Sequence, residues 1–555
     1  MRRSRARGLG GAGLVVAAGA LLASGALPSA AAVAAAKSSS TAVLTIGTPY
    51  ATATDNFNPY SATTTVSSAG INSLIYEPLL QFNVVKPAVH DWLASSYTWS
   101  DAGKKITFTI RKGVRFSDGQ PLTSSDVAFT YEMIKKNPAL NITGISLTNV
   151  SRSGDTVTLT LPMPGYQELQ SLASVYIVPK SVWSTIANPT VFTNPNPVGS
   201  GPFVLSSYTP QGIVLKPNTA YWQGAPKVSE IEVLFESSDT TLEEALQSGA
   251  VQWATDFIPD VQKLYLAKSS NFHFWGPPLY AIALIPNLKV WPTNQLAVRQ
   301  AISLSVNRAA WVNKAETGQG QALTNPSGLP APFDGFIASS LQSQTIPFSI
   351  AQARATLKKA GFSLGPNGYF EKGGKTVSLT LALPSPFADW VEAAQLMVQS
   401  MKKAGIDATF QGTSPAAWQA DLASGNFQLM PDFATTSLGI TPYEEYLHLL
   451  DSSLTAPIGK AASGDYERLF SPSIDKDLAA FASAGNHAQE MAALTPVERY
   501  LATQLPVIPT IAEDGFDEYS TQSFVGWPSA SNPYEVGIVA APYNEVVILH
   551  LRPKS

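Results

Sequence analysis

The side chains that most often carry catalysis are sparse in this chain and poorly spaced for it. The five histidines, His90, His273, His448, His487 and His550, form no H-E-x-x-H or other short metal-ligand spacing, so each reads as an isolated surface or core residue. Cysteine is absent, which removes disulfides, thiolate metal sites, cysteine nucleophiles and a lipid-modified cysteine. Ser473-Ile474-Asp475-Lys476 has the S-x-x-K spacing of a serine acyl-enzyme, but the companion S-D-N and K-T-G elements are missing. Its plainer reading is a helix start with Ser473 as cap. Gly374-Lys375-Thr376 ends like a phosphate-binding loop, yet Tyr369 stands where the first glycine is required. Gly8-Leu9-Gly10-Gly11-Ala12-Gly13 fits G-x-G-x-x-G without the strand and crossover unit that give the pattern meaning, and G-x-S-x-G does not occur. The two carboxylates of a glycoside hydrolase could sit among the 40 acidic residues, because that chemistry needs a distance in space and not a motif. No catalytic residue, metal ligand or cofactor is therefore assigned. The expectation is a chain that is not an enzyme, with a secreted hydrolase as the remote alternative.

The elements that would position any site mix strands and helices throughout. Ala42-Val43-Leu44-Thr45-Ile46-Gly47 has the apolar density of a buried strand. Ile106-Thr107-Phe108-Thr109-Ile110 and Val157-Thr158-Leu159-Thr160-Leu161 alternate with period two and read as half-buried strands. Thr123-Ser124-Ser125-Asp126 places a carboxylate three residues after a cap, and Val127, Tyr131 and Ile134 follow at helical spacing. Trp390, Ala394, Met397 or Val398, and Met401 mark one face of a helix that stops at Gly405. With no run of one element type and no repeat period, the pattern argues for α/β or α+β lobes.

At 555 residues the chain exceeds what one core organises, so two or three domains or interleaved lobes are expected. The start, Met1 to Ala36, reads as a secretory signal: Arg2, Arg3, Arg5 and Arg7, then an apolar stretch, then the small residues Ala30-Ala31-Ala32 and Ala34-Ala35-Ala36. A retained anchor is the alternative, since the stretch approaches the roughly 20 residues of a membrane span. The formal net charge is -4. Without the four leader arginines, 32 basic residues face 40 acidic ones, a net of -8. An acidic chain without a basic stripe lacks the phosphate-neutralising groups that nucleic-acid binding requires, and that class is excluded.

The run from Gly113 to Glu132, through Phe116-Ser117-Asp118-Gly119, Pro121-Leu122-Thr123 and Asp126-Val127-Ala128, resembles the signature of family 5 extracellular solute-binding proteins, the oligopeptide and dipeptide-binding group. Further segments resemble that family in the same order: Asn58-Pro59-Tyr60, Tyr76-Glu77-Pro78-Leu79, Gly199-Ser200-Gly201-Pro202-Phe203, Leu246 to Ala254, Val298 to Arg308, Leu505 to Pro509, Gly526-Trp527-Pro528 and Asn532-Pro533-Tyr534. Two positions depart from it. Gln252 stands where the family carries an acid, and Asn307 stands where it carries aspartate, although asparagine can still cap the next helix.

The resemblance implies a two-lobed α/β fold, periplasmic-binding-protein-like (class II, cluster C type), with three interleaved domains and a hinge. Carried over, domain I uses residues 41–85, 198–283 and 515–555, domain II residues 86–197, and domain III residues 284–514. Hinge crossings are expected near Leu284 to Leu288 and near Pro509 to Gly515. It also implies a monomer that binds a ligand between closing lobes and passes it to the permease subunits of an ABC importer; the leader adds export to the periplasm, cell surface or medium, and the lack of cysteine excludes a lipid anchor on cysteine. Peptide is the expected ligand, on the family's commonest habit. An oligosaccharide of the cello or manno type is the alternative, because Asp517 to Thr521 with Gly526-Trp527-Pro528 resembles the sugar-binding branch. Nickel ranks last for want of a histidine cluster. The interlobe candidates are Trp253, Trp418, Phe433, Tyr443 and Phe516 as flat apolar faces, with Asp432 as partner for a ligand amine or, more plainly, a surface-turn aspartate. Trp527 is read as structural.

Overall fold

The computed structural model describes residues 42–61, 64–434 and 438–554; the expected signal segment and its glycine-rich run lie outside them. Three larger sheets organise the described residues. The first has seven strands in the order Phe272–Phe274, Glu518–Ser520, Trp253–Ala254, Val43–Thr48, Glu230–Phe235, Gly212–Pro217 and Phe203–Thr209. Val43–Thr48 lies between two parallel neighbours, Ile46 pairing with both Val233 and Trp253. A strand covered on both faces needs an uninterrupted apolar run, and Leu44 to Thr48 are all buried.

The second sheet, Ala94–Ser100, Lys105–Ile110, Thr156–Thr160 and Asn149–Ser153, is antiparallel. Its period-two residues Ile106, Phe108, Val157 and Leu159 face one core, which this sheet shares with the first sheet. Helix Ser124–Lys136 joins that core through Val127, Tyr131 and Ile134. Its start is a complete capping box: the Ser125 amide donates to Thr123 Oγ1 at 3.2 Å, and the Thr123 amide donates to Asp126 Oδ2 at 2.9 Å. The preceding turn is tied to the next signature segment, since the Ser117 amide donates to the Gly199 carbonyl at 2.9 Å. Gly199 is required by close approach, because a Cβ there would lie 1.9 Å from the Ile75 carbonyl oxygen.

The third sheet, Gln321–Ala322, Ile508–Asp514, Pro278–Pro286, Leu429–Phe433, Ser378–Pro384 and Asp407–Thr413, has a separate core. Helix Ala388–Ala404 packs on it through Trp390, Ala394, Met397 and Met401 and ends at left-handed Gly405. Asn307 caps as expected, accepting from the Ala310 amide at 2.9 Å. Ser473 does not: its helix begins at Pro472, after Ser471.

Two segments link the first sheet to the third, and they run side by side. Phe274 pairs with Glu518 in the first sheet and Pro278 with Asp514 in the third, while the Gly515 amide donates to the Pro277 carbonyl at 2.9 Å between them. The crossing expected near Leu284 to Leu288 is corrected by this pairing. Leu284 and Ile285 lie inside the third sheet, paired with Pro431 and Met430, because the strand already begins at Pro278. Gly276 occupies the crossing, where a Cβ would meet Asp514 Cβ at 2.6 Å.

Candidate functional site

A cavity of about 550 Å3 opens where the two linked sheets meet. Thr255 and Phe516 reach it from the first sheet's side, and Tyr280, Asp432, Phe433, Glu513 and Asp514 from strands of the third. Trp418 and Gln419 come from helix Pro415–Ser424, His448 from helix Tyr443–Leu450, and Tyr466 from a following loop.

Four of the six sequence candidates, Trp418, Asp432, Phe433 and Phe516, line this one cavity. Trp418 Nε1 donates to the Pro431 carbonyl at 3.1 Å, which fixes the indole against the strand that carries Asp432 and Phe433. Behind it Trp390 packs edge-on to Trp418 at 5.9 Å and against Phe433 at 5.2 Å. Phe516 rests on Phe257 at 5.4 Å. Asp432 is not in a surface turn. It lies in strand Leu429–Phe433 at 6% exposure, with Oδ2 3.4 Å from His448 Nε2. His448 is thereby no isolated histidine, and the Tyr466 ring stands 5.5 Å from it.

The other two candidates sit elsewhere. Trp253 is wholly buried in the first core, donating from Nε1 to Asp517 Oδ1 and to the Gly537 carbonyl, each at 2.8 Å, with Trp527 5.4 Å away. A two-residue strand holds it between parallel Val43–Thr48 and antiparallel Glu518–Ser520, and its side chain packs in that core, away from the residues that line the cavity. Trp527 packs there as the structural residue it was read to be. Tyr443 begins a helix, packs on Phe481 at 5.6 Å and borders a small recess with Tyr166 and Gln170 instead of the cavity.

Sequence reasoning passed over Tyr280, His448, Tyr466, Glu513 and Asp514. Glu513 and Asp514 were within reach: they are adjacent acids closing an apolar strand, a pattern that puts charge where burial is otherwise expected. Tyr280 pairs directly with Glu513 across the strands. Burial pushes the Glu513 carboxyl up to about 8, with Asp389 and Asp514 adding to the effect and the Trp390 indole opposing it. Trp390 Nε1 donates to Glu513 Oε1 at 2.8 Å. Burial likewise raises Asp514 to about 7 and Tyr280 to about 12.

Residues 88–452 match the family model for bacterial extracellular solute-binding proteins, family 5. The chain belongs to that family. The family's defining activity is solute binding, and among the described residues no helix is long and apolar enough to cross a membrane. This family 5 chain is 30% identical over 364 residues to protein XP55 of Streptomyces lividans, a match covering 63% of each chain. It is 25% identical to the nickel-binding periplasmic protein of Escherichia coli, over 85% of this chain and 89% of that one. Its fold is that of the periplasmic oligopeptide-binding protein of an oligopeptide ABC transporter from Thermotoga maritima. That superposition has a TM-score of 0.85 at 24% identity and covers 93% of this chain and all of the other. A second crystal structure of that protein, bound to mannohexaose, superposes with a TM-score of 0.78 at 23% identity.

Proposed function

We propose that this family 5 protein captures peptides outside the cytoplasm, between two lobes that close about the paired crossing segments, and delivers them to the permease of an ATP-driven importer. The carrying observation is the cavity itself. Its volume of about 550 Å3 falls in the range of roughly 300–1,000 Å3 typical of small-molecule sites, and it is walled by flat rings with a few fixed polar groups. A ligand held by Phe516 and Thr255 on one side and by Trp418, Asp432 and Phe433 on the other touches both lobes only when they are closed, and so favours closure. Within this reading Asp432 faces a ligand amine, Tyr280 also lines a neighbouring cavity of about 420 Å3 that extends the cleft, and the protein works as a monomer. Export through Met1 to Ala36 and the absence of a cysteine anchor belong to the same reading.

The second reading, an oligosaccharide ligand, draws on the mannohexaose bound by the Thermotoga maritima protein and on the rings that stack equally well on sugars. A thermal-shift screen decides between them. Peptide at 100 times its Kd is expected to stabilise the folded protein by about 2.7 kcal/mol. A rise with oligosaccharides and none with peptides reverses the choice. Product analysis in the same incubations is expected to find ligand unchanged, and repeated turnover would sink the binding role in favour of a hydrolase.

A further inference from the structure

Among the described residues the cavity wall carries three carboxylates, Asp432, Glu513 and Asp514, and one histidine, His448, but neither lysine nor arginine. Among the described residues the adjoining cavity likewise has Glu444 and no cationic side chain on its wall. Behind Glu513, Glu316 and Asp389 complete a group in which each residue offers a carboxylate oxygen within 4.8 Å of the others. The donors that reach this group are neutral. Trp390 Nε1 serves Glu513, and Trp311 Nε1 serves Glu316 Oε1 at 2.8 Å. Glu316 is fully buried, and its Oε2 has no hydrogen-bond partner among the described residues.

Desolvated carboxylates without a counter-charge disfavour the ionised form, and burial raises Glu316 to about 9. A cation entering the cavity would restore what burial removes. The wall also says what kind of cation. Trp418, Phe433, Tyr466 and Phe516 line the same cavity as the acids; aromatic faces attract ammonium and guanidinium groups, whereas a hard metal ion seeks a shell of oxygens at about 2.0–2.6 Å.

We propose that the end of the cavity formed by Glu513 and Asp514, backed by Glu316 and Asp389, receives an ammonium or guanidinium group of the ligand, so that the substrate class is basic peptides. The inference rests on the peptide reading above and makes a separate claim about charge. Calorimetry on the exported chain would compare tetralysine, tetra-alanine and tetraglutamate with spermidine, mannohexaose and the chlorides of magnesium, calcium and nickel. Tetralysine is expected to bind about tenfold or more tighter than tetra-alanine, with tetraglutamate the weakest. Glu513→Gln and, separately, Asp514→Asn are expected to shrink the tetralysine to tetra-alanine ratio, with unchanged circular dichroism reporting an intact fold. Equal affinity for all three peptides would overturn the cation subsite and leave the peptide reading standing. Binding of spermidine without any peptide would do the reverse. Mannohexaose as the sole ligand would remove both, and stabilisation by a metal chloride alone would overturn the assignment to an organic cation.

Discussion

Glu513 shows how one buried side chain can couple stability to pH. Its folded carboxyl lies at about 8 against an ordinary value of 4.5, chiefly through burial. A carboxyl raised on folding contributes stability that is present below the unfolded value and lost as pH rises through the folded one. The ligand-free protein is therefore expected to melt progressively lower between about pH 4.5 and pH 8, a window set by those two values. Asp514, raised by burial to about 7, acts in the same direction. Glu513→Gln keeps an acceptor for Trp390 but cannot ionise. Its melting temperature is expected to exceed the parent's by a few degrees at pH 8 and to match it near pH 4.5. Scanning calorimetry across that range checks the slope; equal slopes in the two proteins would refute it. Trp390→Phe removes the Nε1 donor and part of the wall behind Phe433, so it is expected to destabilise by about 1–3 kcal/mol and to loosen ligand binding.

At the scale of elements, the two signature segments act through backbone geometry more than through their side chains' chemistry. The capping box at Thr123 fixes where helix Ser124–Lys136 begins, and Thr123→Ala is expected to cost about 1 kcal/mol in urea unfolding. Gly199→Ala should cost more. Its Cβ would run into the Ile75 carbonyl, a backbone atom that cannot swing aside, so a loss of about 3 kcal/mol is expected in the same measurement. The capping box was legible beforehand because it is a local rule of spacing. The demand for glycine at 199 was not, since it arises from a segment more than a hundred positions earlier in the chain. Asp432 makes the same point from the other side. A single aspartate followed by an aromatic reads as a turn, and only its pairing with Ala283 in the third sheet makes it a buried strand residue aimed at the cavity.

Across the whole molecule, hydrogen bonds join the part built on the second sheet to the part built on the third. Gln167 Nε2 donates to Glu490 Oε1 at 2.8 Å, and Gln170 Nε2 to the Leu438 carbonyl at 2.6 Å. Under the proposed closure such bonds would hold the lobes together, each contributing on the order of 1 kcal/mol. Gln167→Ala, which leaves the 550 Å3 cavity's wall untouched, is expected to weaken ligand binding about fivefold by favouring the open form. Titration calorimetry gives the affinity, and small-angle scattering with saturating ligand gives the compaction; an unchanged Kd would show that closure does not depend on this bond. Gly276→Ala acts at the other end of the proposed motion. Crowding against Asp514 is expected to disturb the crossing, with an altered radius of gyration in the ligand-free protein.

The chain's residues alone determined the α/β mixture, the principal strands and helices, the caps at Thr123 and Asn307 but not the one read at Ser473, and the family, because these follow from short-range periodicity, from local spacing and from ordered motifs. They also identified four walls of the cavity, Trp418, Asp432, Phe433 and Phe516. The tertiary structure decided the rest. It withdrew Trp253 into the core, moved the crossing from Leu284 to the ribbon around Gly276 and Gly515, and brought Glu316, Asp389 and Glu513 together from three distant stretches. Burial and charge proximity are properties of space, and segments that meet only through sheet pairing leave no trace of their meeting in the order of the residues.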